Sequence, residues 1–348
     1  MLPILLMVGE EKVIKNLIIF YFTAAGETLA RRLLTLKLGG NVTLFSGKSA
    51  EIKNCLKKNW NNDTTFLFIG ALGIAVRLIA PFIKDKFSDP AVVVADETGK
   101  YFISVLSGHF GGANEIAQIL AQNLGGEAVI TTATDVQGKV GLDVLARKYG
   151  LRYADREVFK RVNAALARGD EVKFFARALP LDFPYPYRAE IEEEFSGIKI
   201  LISPYLVALK PNEYQLYPPA VWVGIGCRRG VEFTLLEKAV LEALQEGGVS
   251  LKGVAGIASI ELKKDETALL ELAAKYGLKT KFFTREELLE VITIKNLPQS
   301  SKVLTKVGVG NVCEAAAIKG AGMGNLILPK KIFPKVSVAL AEALRWWE

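Results

Sequence analysis

The sharpest candidate for chemistry in this sequence is the glycine-rich segment SGHFGGAN, residues 107–114. It combines three glycines with the hydroxyl of Ser107, the imidazole of His109 and the amide of Asn114. His109 is the only histidine of the chain, and an imidazole with an ordinary pKa of about 6.5 can transfer protons near neutrality. The alternative is a tight structural turn in which Asn114 caps the following helix. We therefore treat the segment as a catalytic candidate with a structural alternative.

A hydroxyl-rich run, TTATD at residues 131–135, ends the next predicted strand. Thr132, Thr134 and Asp135 stand where a buried strand should emerge at a ligand-binding edge. If this strand lies beside the one that ends at Ser107, Asp135 could orient His109 or hold a water. A β-branched strand that finishes in an aspartate helix cap is the alternative.

Arginines follow two other glycine clusters. Arg77 comes four residues after the cluster Gly70–Gly73, and Arg228 and Arg229 come directly after Gly224–Cys227. A guanidinium group binds a carboxylate through two parallel hydrogen bonds, so Arg77 is either a carboxylate clamp or a partner in a surface salt bridge. Two adjacent arginines concentrate positive potential, which makes Arg228 and Arg229 the better candidates.

An acidic residue follows the last glycine cluster, Gly308–Gly310. Glu314 is either a charge that favours the start of a helix or an acid–base group. Cys227 and Cys313 also lie in glycine-containing turns, but neither has a neighbouring histidine. We interpret both cysteines as small turn residues and not as nucleophiles.

The elements that must position these residues alternate between apolar strands and amphipathic helices, which is typical of an α/β fold. Each glycine cluster follows or ends a predicted strand, at the edge where open α/β sheets bind ligands. Thr98-Gly99-Lys100 predicts a hairpin between two strands. We predict an N-terminal α/β domain with a parallel or mixed sheet (1–145), a small irregular middle domain (146–220) and a C-terminal α/β domain (221–348).

Composition excludes several classes of site. One histidine and three separated cysteines argue against a zinc site, so we predict no protein-bound metal, although residue counts leave a carboxylate Mg²⁺ site open. Neither GxGxxG nor GxxxxGK[ST] occurs. Without an apolar run of about 20 residues or a signal peptide, and with an odd count of cysteines, we expect a soluble cytoplasmic protein that does not enter a membrane.

The charge balance suggests an anionic ligand. Forty-four Lys and Arg against 37 Asp and Glu give a net charge of +7. No basic run with interleaved aromatics points to nucleic acid, so a small polyanionic substrate fits better. A lysine-rich solvated surface explains the excess equally well.

Taken together, these segments resemble the cobalamin-biosynthesis family CbiG, and the C-terminal part is similar to the CobE family. The resemblance runs in order over nearly the whole chain from about residue 16. It is carried by GALGIAVRLIAP, DPAVVVADETGKYFISVLSGHFGGANEIAQ, VITTATD, GIGCRRG, ASIELKKDE, KVGVGNVCEAAA and LPKK.

The resemblance implies a cobalt-precorrin-5A hydrolase. Its substrate is a cobalt-bearing tetrapyrrole whose ring-A acetate is closed as a δ-lactone. Water opens the lactone, and the meso carbon with its methyl group leaves as acetaldehyde. The cobalt comes with the substrate, so no cofactor is expected. The many carboxylates of such a substrate would explain the basic excess.

The chemistry of ester opening suggests roles for the candidates. His109 would be the base, the N–H groups of Gly111, Gly112 and Ala113 would stabilise the oxyanion, and Asp135 would orient the base. Glu314 is the next catalytic candidate. The predicted substrate-binding set is Gly70, Gly73, Arg77, Ser107, Gly111, Gly112, Asn114, Thr132, Thr134, Gly226, Arg228, Arg229, Gly310 and Lys330.

Two rival functions remain open. A non-catalytic tetrapyrrole carrier would bind the substrate without releasing acetaldehyde. An enzyme acting on a phosphorylated small molecule is suggested by the glycine turns alone. The sequence also leaves open whether the chain forms a homodimer.

Overall fold

The computed structural model describes residues 14–36, 40–85, 88–108, 110–131, 140–189 and 195–347. The chain divides into two compact units, residues 1–144 and 145–348. Among the described residues, no helix is long and apolar enough to cross a membrane.

The first unit is built on a six-stranded sheet with the order β2-β1-β3-β4-β5-β6. Its strands are β1 (Asn16–Tyr21), β2 (Asn41–Phe45), β3 (Thr64–Ile69), β4 (Ala91–Ala95), β5 (Tyr101–Leu106) and β6 (Glu127–Val129). Its helices are α1 (Ala24–Leu34), α2 (Ser49–Asn59), α3 (Leu72–Ile79) and α4 (Ala113–Leu124), and α5 (Leu142–Lys148) leads into the second unit.

The central strands of this sheet are buried along their whole length. Every residue of β3 and β4 is buried, as expected for parallel strands covered on both faces. One cluster of apolar side chains packs on each face, with α1 and α4 on one side and α2 and α3 on the other. The predicted α/β class is confirmed for this unit.

Because β5 runs antiparallel to β4, the carboxyl ends of the strands lie at two opposite edges of this sheet. Strands β1 to β4 are parallel, β5 runs antiparallel to β4, and β6 is parallel to β5. The predicted hairpin is therefore confirmed. The carboxyl ends of β1 to β4 form one edge, which we call the Gly70 edge, and the carboxyl ends of β5 and β6 form the opposite one, the Ser107 edge.

The second unit begins with a five-stranded sheet in the order β7-β11-β10-β8-β9. Its elements are β7 (Arg152–Tyr153), α6 (Glu157–Arg168), β8 (Val172–Ala176), β9 (Tyr187–Arg188), β10 (Ile198–Ile202) and β11 (Glu213–Tyr217). Strands β8, β10 and β11 are parallel. The region is thus more regular than the irregular middle domain predicted, because its short apolar strands are buried in spite of the intervening prolines.

A second sheet in this unit has the order β14-β13-β12-β16-β15. Its strands are β12 (Val221–Cys227), β13 (Val254–Ile260), β14 (Lys279–Phe283), β15 (Asn325–Phe333) and β16 (Val336–Glu342). Its helices are α7 (Phe233–Glu246), α8 (Thr267–Tyr276), α9 (Arg285–Lys295), α10 (Ser301–Val307) and α11 (Val312–Gly320). Strands β12 to β14 are parallel, and β16 runs antiparallel to β12.

One glycine cluster does not follow a strand as predicted. Gly308 ends helix α10 in the left-handed conformation, with φ +78°. Its N–H donates to the carbonyl of Leu304 at 2.7 Å, which is an ordinary way to end a helix. The expectation of a strand before Gly308–Gly310 is therefore wrong. Gly310 nevertheless leads directly into α11, as predicted.

Candidate functional site

The Ser107 turn is tightly packed against the start of β4. Ser107 has φ +54°, a left-handed conformation that is uncommon for a residue with a side chain. Its buried hydroxyl donates to the carbonyl of Asp89 at 3.0 Å. A Cβ at Gly111 would lie 2.6 Å from the Cβ of Ser107 and 3.0 Å from the nitrogen of Ala91. The glycine at 111 is thus required by a close approach of the backbone.

Part of the hydrogen-bonding capacity of this turn is used internally. The N–H of Ala113 donates to the carbonyl of Ser107 at 3.3 Å, and that of Asn114 donates to the carbonyl of Gly108 at 3.0 Å. Gly112, with φ +84°, precedes α4 as its N-cap. Ala113 is therefore a poor oxyanion donor, and that prediction now rests on the N–H groups of Gly111 and Gly112.

A buried carboxylate that sequence reasoning missed supports the Ser107 turn. Asp89 is only 1% exposed. Its carboxylate accepts from the indole N–H of Trp60 at 3.0 Å and from the backbone N–H of Lys84 at 2.9 Å. It thereby fixes the loop whose carbonyl accepts from Ser107. In the sequence, only its position directly before Pro90 and a buried strand could have indicated that Asp89 has a structural role.

Four predicted residues, His109, Thr132, Thr134 and Asp135, lie outside the described residues. The strands that precede them are described: β5 and β6 are parallel neighbours, with Phe102 opposite Ala128. Strand β6 ends at Val129, before the predicted end at Asp135, so the condition set for Asp135 is met only for the start of its predicted strand. The roles of the four residues stay predictions.

The predicted arginine of the first unit lies at the other edge of the sheet. Gly70 donates its N–H to the carbonyl of Ala95 at 2.8 Å, and exposed Arg77 turns back to donate to the carbonyl of Gly73 at 3.2 Å. Because β4 has five residues at about 3.3 Å each, the two edges are roughly 15 Å apart. The structure does not bring Gly70, Gly73 and Arg77 together with Ser107.

In the second unit the predicted residues do converge, at the carboxyl ends of β12 and β13, which we call the Arg228 edge. Arg228 is exposed and held by its backbone N–H, which donates to the carbonyl of Lys335 at 2.9 Å. Its guanidinium group has no partner among the described residues. Arg229 is committed to Asp265, at 3.0 Å and 3.1 Å to the two oxygens, and this contact lowers the pKa of Asp265. Arg228 is therefore the freer anion ligand.

Glu314 is held in a network at the start of α11. It is 4% exposed, and it accepts the backbone N–H of Lys330 at 2.7 Å. Its other oxygen accepts from the side-chain amide of Asn311, which also donates to the carbonyl of Pro298 at 3.0 Å. Both oxygens of Glu314 thus bind protein donors, which favours the helix-terminus interpretation over the acid–base one.

Asn311 is a second residue that sequence reasoning missed. It is the N-cap of α11 and is almost fully buried. The signal was present, since an asparagine directly after a glycine and before an apolar helix is a preferred N-cap. The side chain of Lys330 has no ion-pair partner within the described ranges, so its charge remains available at this edge.

The two thiols at the Arg228 edge are poor nucleophiles. Burial raises the pKa of Cys227 to about 11 and that of Cys313 to about 11. Because the thiolate is the reactive form, both groups are almost wholly protonated near neutrality. The interpretation of both cysteines as small structural residues fits these values.

Comparison with known families covers most of the chain in three segments. Residues 54–135 match the family model described as cobalamin synthesis G N-terminal, and residues 140–218 match the cobalamin biosynthesis central region. Residues 221–341 match the cobalamin synthesis G C-terminus.

Two curated relatives align over most of their length. A cobalt-precorrin-5A hydrolase from Priestia megaterium is 33% identical over 319 residues, which cover 86% of this chain and 83% of the relative. A cobalt-precorrin-5A hydrolase from Salmonella typhimurium is 35% identical over 324 residues, which cover 87% of this chain and 91% of the relative.

Two solved structures are similar at lower levels. A cobalamin biosynthesis protein G homologue from Sulfolobus solfataricus is 23% identical, with a TM-score of 0.42 and coverage of 94% of this chain and 97% of that one. CobE, a protein of the cobalamin pathway, is 33% identical, with a TM-score of 0.34 and coverage of 36% of this chain and 92% of that one.

Proposed function

Since the chain belongs to the cobalamin synthesis G family, we infer that it is a cobalt-precorrin-5A hydrolase. The observation that carries this conclusion is the alignment of curated hydrolases over 83% and 91% of their own length. The alignment is long enough to span the three segments that match family models.

The activity expected of this family is the opening of the ring-A lactone of cobalt-precorrin-5A. Water adds to the ester carbonyl, the ring oxygen leaves with a proton, and the meso carbon then departs with its methyl group as acetaldehyde. The product is cobalt-precorrin-5B. Cobalt is part of the substrate, and we propose that the chain needs no metal of its own.

We assign the hydrolytic step to the Ser107 edge. His109 would take the proton of water, and the N–H groups of Gly111 and Gly112 would stabilise the oxyanion. Asp135 would orient His109, an assignment supported by the pairing of β5 with β6. The strained backbone of Ser107 adds support, because strain of this kind is often found at functional sites.

We assign substrate carboxylates to the Arg228 edge. Arg228 and Lys330 keep their charges free of partners in the described part of the chain, whereas Arg229 is engaged by Asp265. Gly226 is half-buried beside Arg228, whereas Gly310 is buried and its carbonyl accepts from the N–H of Ser300 at 3.0 Å, so Gly226 is the better backbone ligand of the two in this proposal. Arg77, at the Gly70 edge, is a separate carboxylate ligand in this proposal.

The test is to incubate the purified protein with cobalt-precorrin-5A and to measure acetaldehyde together with the mass of the corrinoid product. The hydrolase assignment predicts one acetaldehyde per substrate consumed. Tight binding without acetaldehyde would instead identify a carrier. His109→Ala should abolish release while leaving the folded structure intact; a variant with the parent rate would remove His109 as the base.

A further inference from the structure

A cleft of about 380 Å³ opens inside the second unit, between its two sheets. One wall comes from the ends of β8 and β10, at Phe175–Ala178 and Leu201–Pro204, and the other from Glu342–Leu344 and Trp346. The volume lies in the range of small-molecule sites, which is about 300–1,000 Å³. None of the residues assigned above lines this cleft.

The cleft lies at the carboxyl ends of two parallel strands of the first sheet of this unit, a position typical of ligand sites. Strands β8 and β10 are parallel and both end at the cleft. Ligands of open α/β sheets bind outside the carboxyl ends of such strands. The middle region, to which sequence analysis could give no role, thus contributes a ligand-binding edge of its own.

Backbone hydrogen bonds hold one wall in place. Leu206 donates to the carbonyl of Gly248 at 2.7 Å, and Ser250 donates to the carbonyl of Pro204 at 2.9 Å. The buried amide of Gln215 donates to the carbonyl of Ser203 at 2.9 Å and to that of Tyr205 at 2.6 Å. The loop after β10 is therefore fixed between β11 and the segment from Gly248 to Ser250 that precedes β13, and this holds one wall of the cleft.

The lining combines apolar residues with the polar residues Arg177, Ser203, Asn325 and Glu342. Val207 and Leu344 are exposed and Trp346 is half-buried, so these three side chains supply the apolar surface of the cleft. Apolar surface beside a few placed polar groups is typical of small-molecule sites, and the ring of Trp346 offers a face against which an organic ring can pack.

One cation with spare donors stands in the lining. The side chain of Arg177 is 77% exposed, and one of its nitrogens lies 3.3 Å from Glu342. Glu342 is itself held by the hydroxyl of Tyr205 at 2.6 Å. Burial, together with the bond to Glu342, raises the pKa of Tyr205, so this hydroxyl remains a donor. Glu342 and the neighbouring Tyr205 hydroxyl therefore orient Arg177, and they engage only part of its five N–H groups.

We propose that this cleft binds a carboxylate-bearing edge of the tetrapyrrole substrate, with its apolar walls against one ring and Arg177 on the carboxylate of that ring. The cleft is too small to enclose a whole macrocycle, so it takes one ring and its arm. The proposal rests on the proposed function for the identity of the ligand. It assigns the middle region a part in substrate binding.

The test compares two stable corrins in equilibrium dialysis, read by corrin absorbance. Cobyrinic acid carries free carboxylate arms, and cobinamide carries amidated ones. Arg177→Gln should weaken binding of cobyrinic acid about tenfold and should leave cobinamide unchanged. Leu344→Glu, at a side chain that is 61% exposed, should weaken cobyrinic acid binding by a similar factor through charge repulsion.

Matched controls are available in the same unit. Arg168, like Arg177, is an exposed arginine paired with one carboxylate, and Leu181 is fully exposed outside the cleft. Arg168→Gln and Leu181→Glu should bind both corrins as the parent does. With cobalt-precorrin-5A as substrate, Arg177→Gln should raise KM and leave kcat near the parent value.

The outcomes separate the cleft from the proposed function. If Arg177→Gln and Leu344→Glu bind cobyrinic acid as the parent does, the cleft proposal fails even when acetaldehyde is released normally. If Arg177→Gln weakens the binding of both corrins equally, the assignment of Arg177 to a substrate carboxylate is overturned. If the parent releases no acetaldehyde but the variants still lose cobyrinic acid binding, the hydrolase assignment fails and the cleft assignment stands.

Discussion

Glu314 illustrates how contacts can decide between two roles for one residue. Its two carboxylate oxygens face two donors, the backbone N–H of Lys330 and the amide of Asn311. A carboxylate has no donor of its own when ionised, so it satisfies both groups. An acid–base catalyst must instead present an oxygen to substrate. The arrangement therefore points to a structural function that joins α11 to β15.

Replacing Glu314 with Gln tests this role. The Gln amide offers one acceptor and one donor group, so one of the two facing donors would lose its partner. We expect a loss of about 1–3 kcal/mol in the free energy of unfolding, measured by urea denaturation. The control Glu242→Gln removes an exposed, weakly paired carboxylate and should cost less than about 0.5 kcal/mol. Unchanged stability with a large loss of kcat per folded molecule would restore the acid–base role.

At the level of elements, α11 packs directly on β12 because Gly224 has no side chain. A Cβ at this position would lie 1.9 Å from the carbonyl oxygen of Cys313 and 2.6 Å from the nitrogen of Ala317. Both atoms belong to the helix backbone and cannot rotate away. The start of α11, with Asn311 and Glu314, is thereby held close to the sheet.

Gly224→Ala should therefore displace α11 and lower the free energy of unfolding by about 1–3 kcal/mol or more. Gly226→Ala is the comparison, because a Cβ there would meet only the hydroxyl oxygen of Ser337, at 2.7 Å, and that side chain can rotate. Urea denaturation of both variants should show the larger loss for Gly224→Ala. Equal losses would mean that the helix contact is not the cause.

The class of most elements was predictable from local patterns, but the edges at which they end were less so. The buried runs of β1, β3 and β4 and the turn at Gly99 predicted a sheet with a hairpin. The predicted hairpin implies antiparallel strands, and the structure shows the consequence, which is that Ser107 and Gly70 lie at opposite edges of one sheet. The strand expected before Gly308 was a helix, because a single valine-glycine repeat cannot distinguish the two.

Local geometry was predictable where one segment supplies both the residue and its turn. The turns at Ser107, Gly111 and Arg228 illustrate this, while the roles of these residues stay predictions. Asp89 and Asn311 were missed because their importance comes from burial and from partners distant in sequence. Arg177 was missed for the same reason, since the cleft beside it exists only when two sheets of the second unit are assembled.

At the scale of the whole molecule, part of the mild basic excess lies at the regions proposed for substrate binding. Arg228 and Lys330 at the Arg228 edge and Arg177 in the cleft each keep donors free within the described part of the chain. Many other cations are in surface pairs, such as Arg229 with Asp265 and Lys275 with Glu237. For a substrate with many carboxylates, a few unpaired cations of this kind matter more than the net charge.

The pKa values of the second unit predict how its stability depends on pH. Burial raises the pKa of Cys227 and Cys313 from 9.0 to about 11. Between about pH 9 and 11 the unfolded chain loses these protons while the folded unit keeps them. The free energy of unfolding must therefore fall as the pH rises through this window, by at most about 1.4 kcal/mol per pH unit for each thiol. Below about pH 8 both states hold the two thiol protons, so the thiols contribute almost no slope there.

The double variant Cys227→Ala/Cys313→Ala should flatten this slope, because it removes both shifted groups. The slope is measured by urea denaturation from pH 7 to 11, followed by tryptophan fluorescence. A Trp60→Phe background is used because the remaining tryptophans, at 222, 346 and 347, all belong to the second unit. Cys55→Ala, in the first unit, is the matched control and should leave the slope as it is. The tyrosines of this unit whose pKa is also raised, which are Tyr149, Tyr205, Tyr217 and Tyr276, keep a decline that grows towards the highest pH. A slope between pH 9 and 10 that is as steep in the double variant as in the parent would show that the buried thiols are not its source.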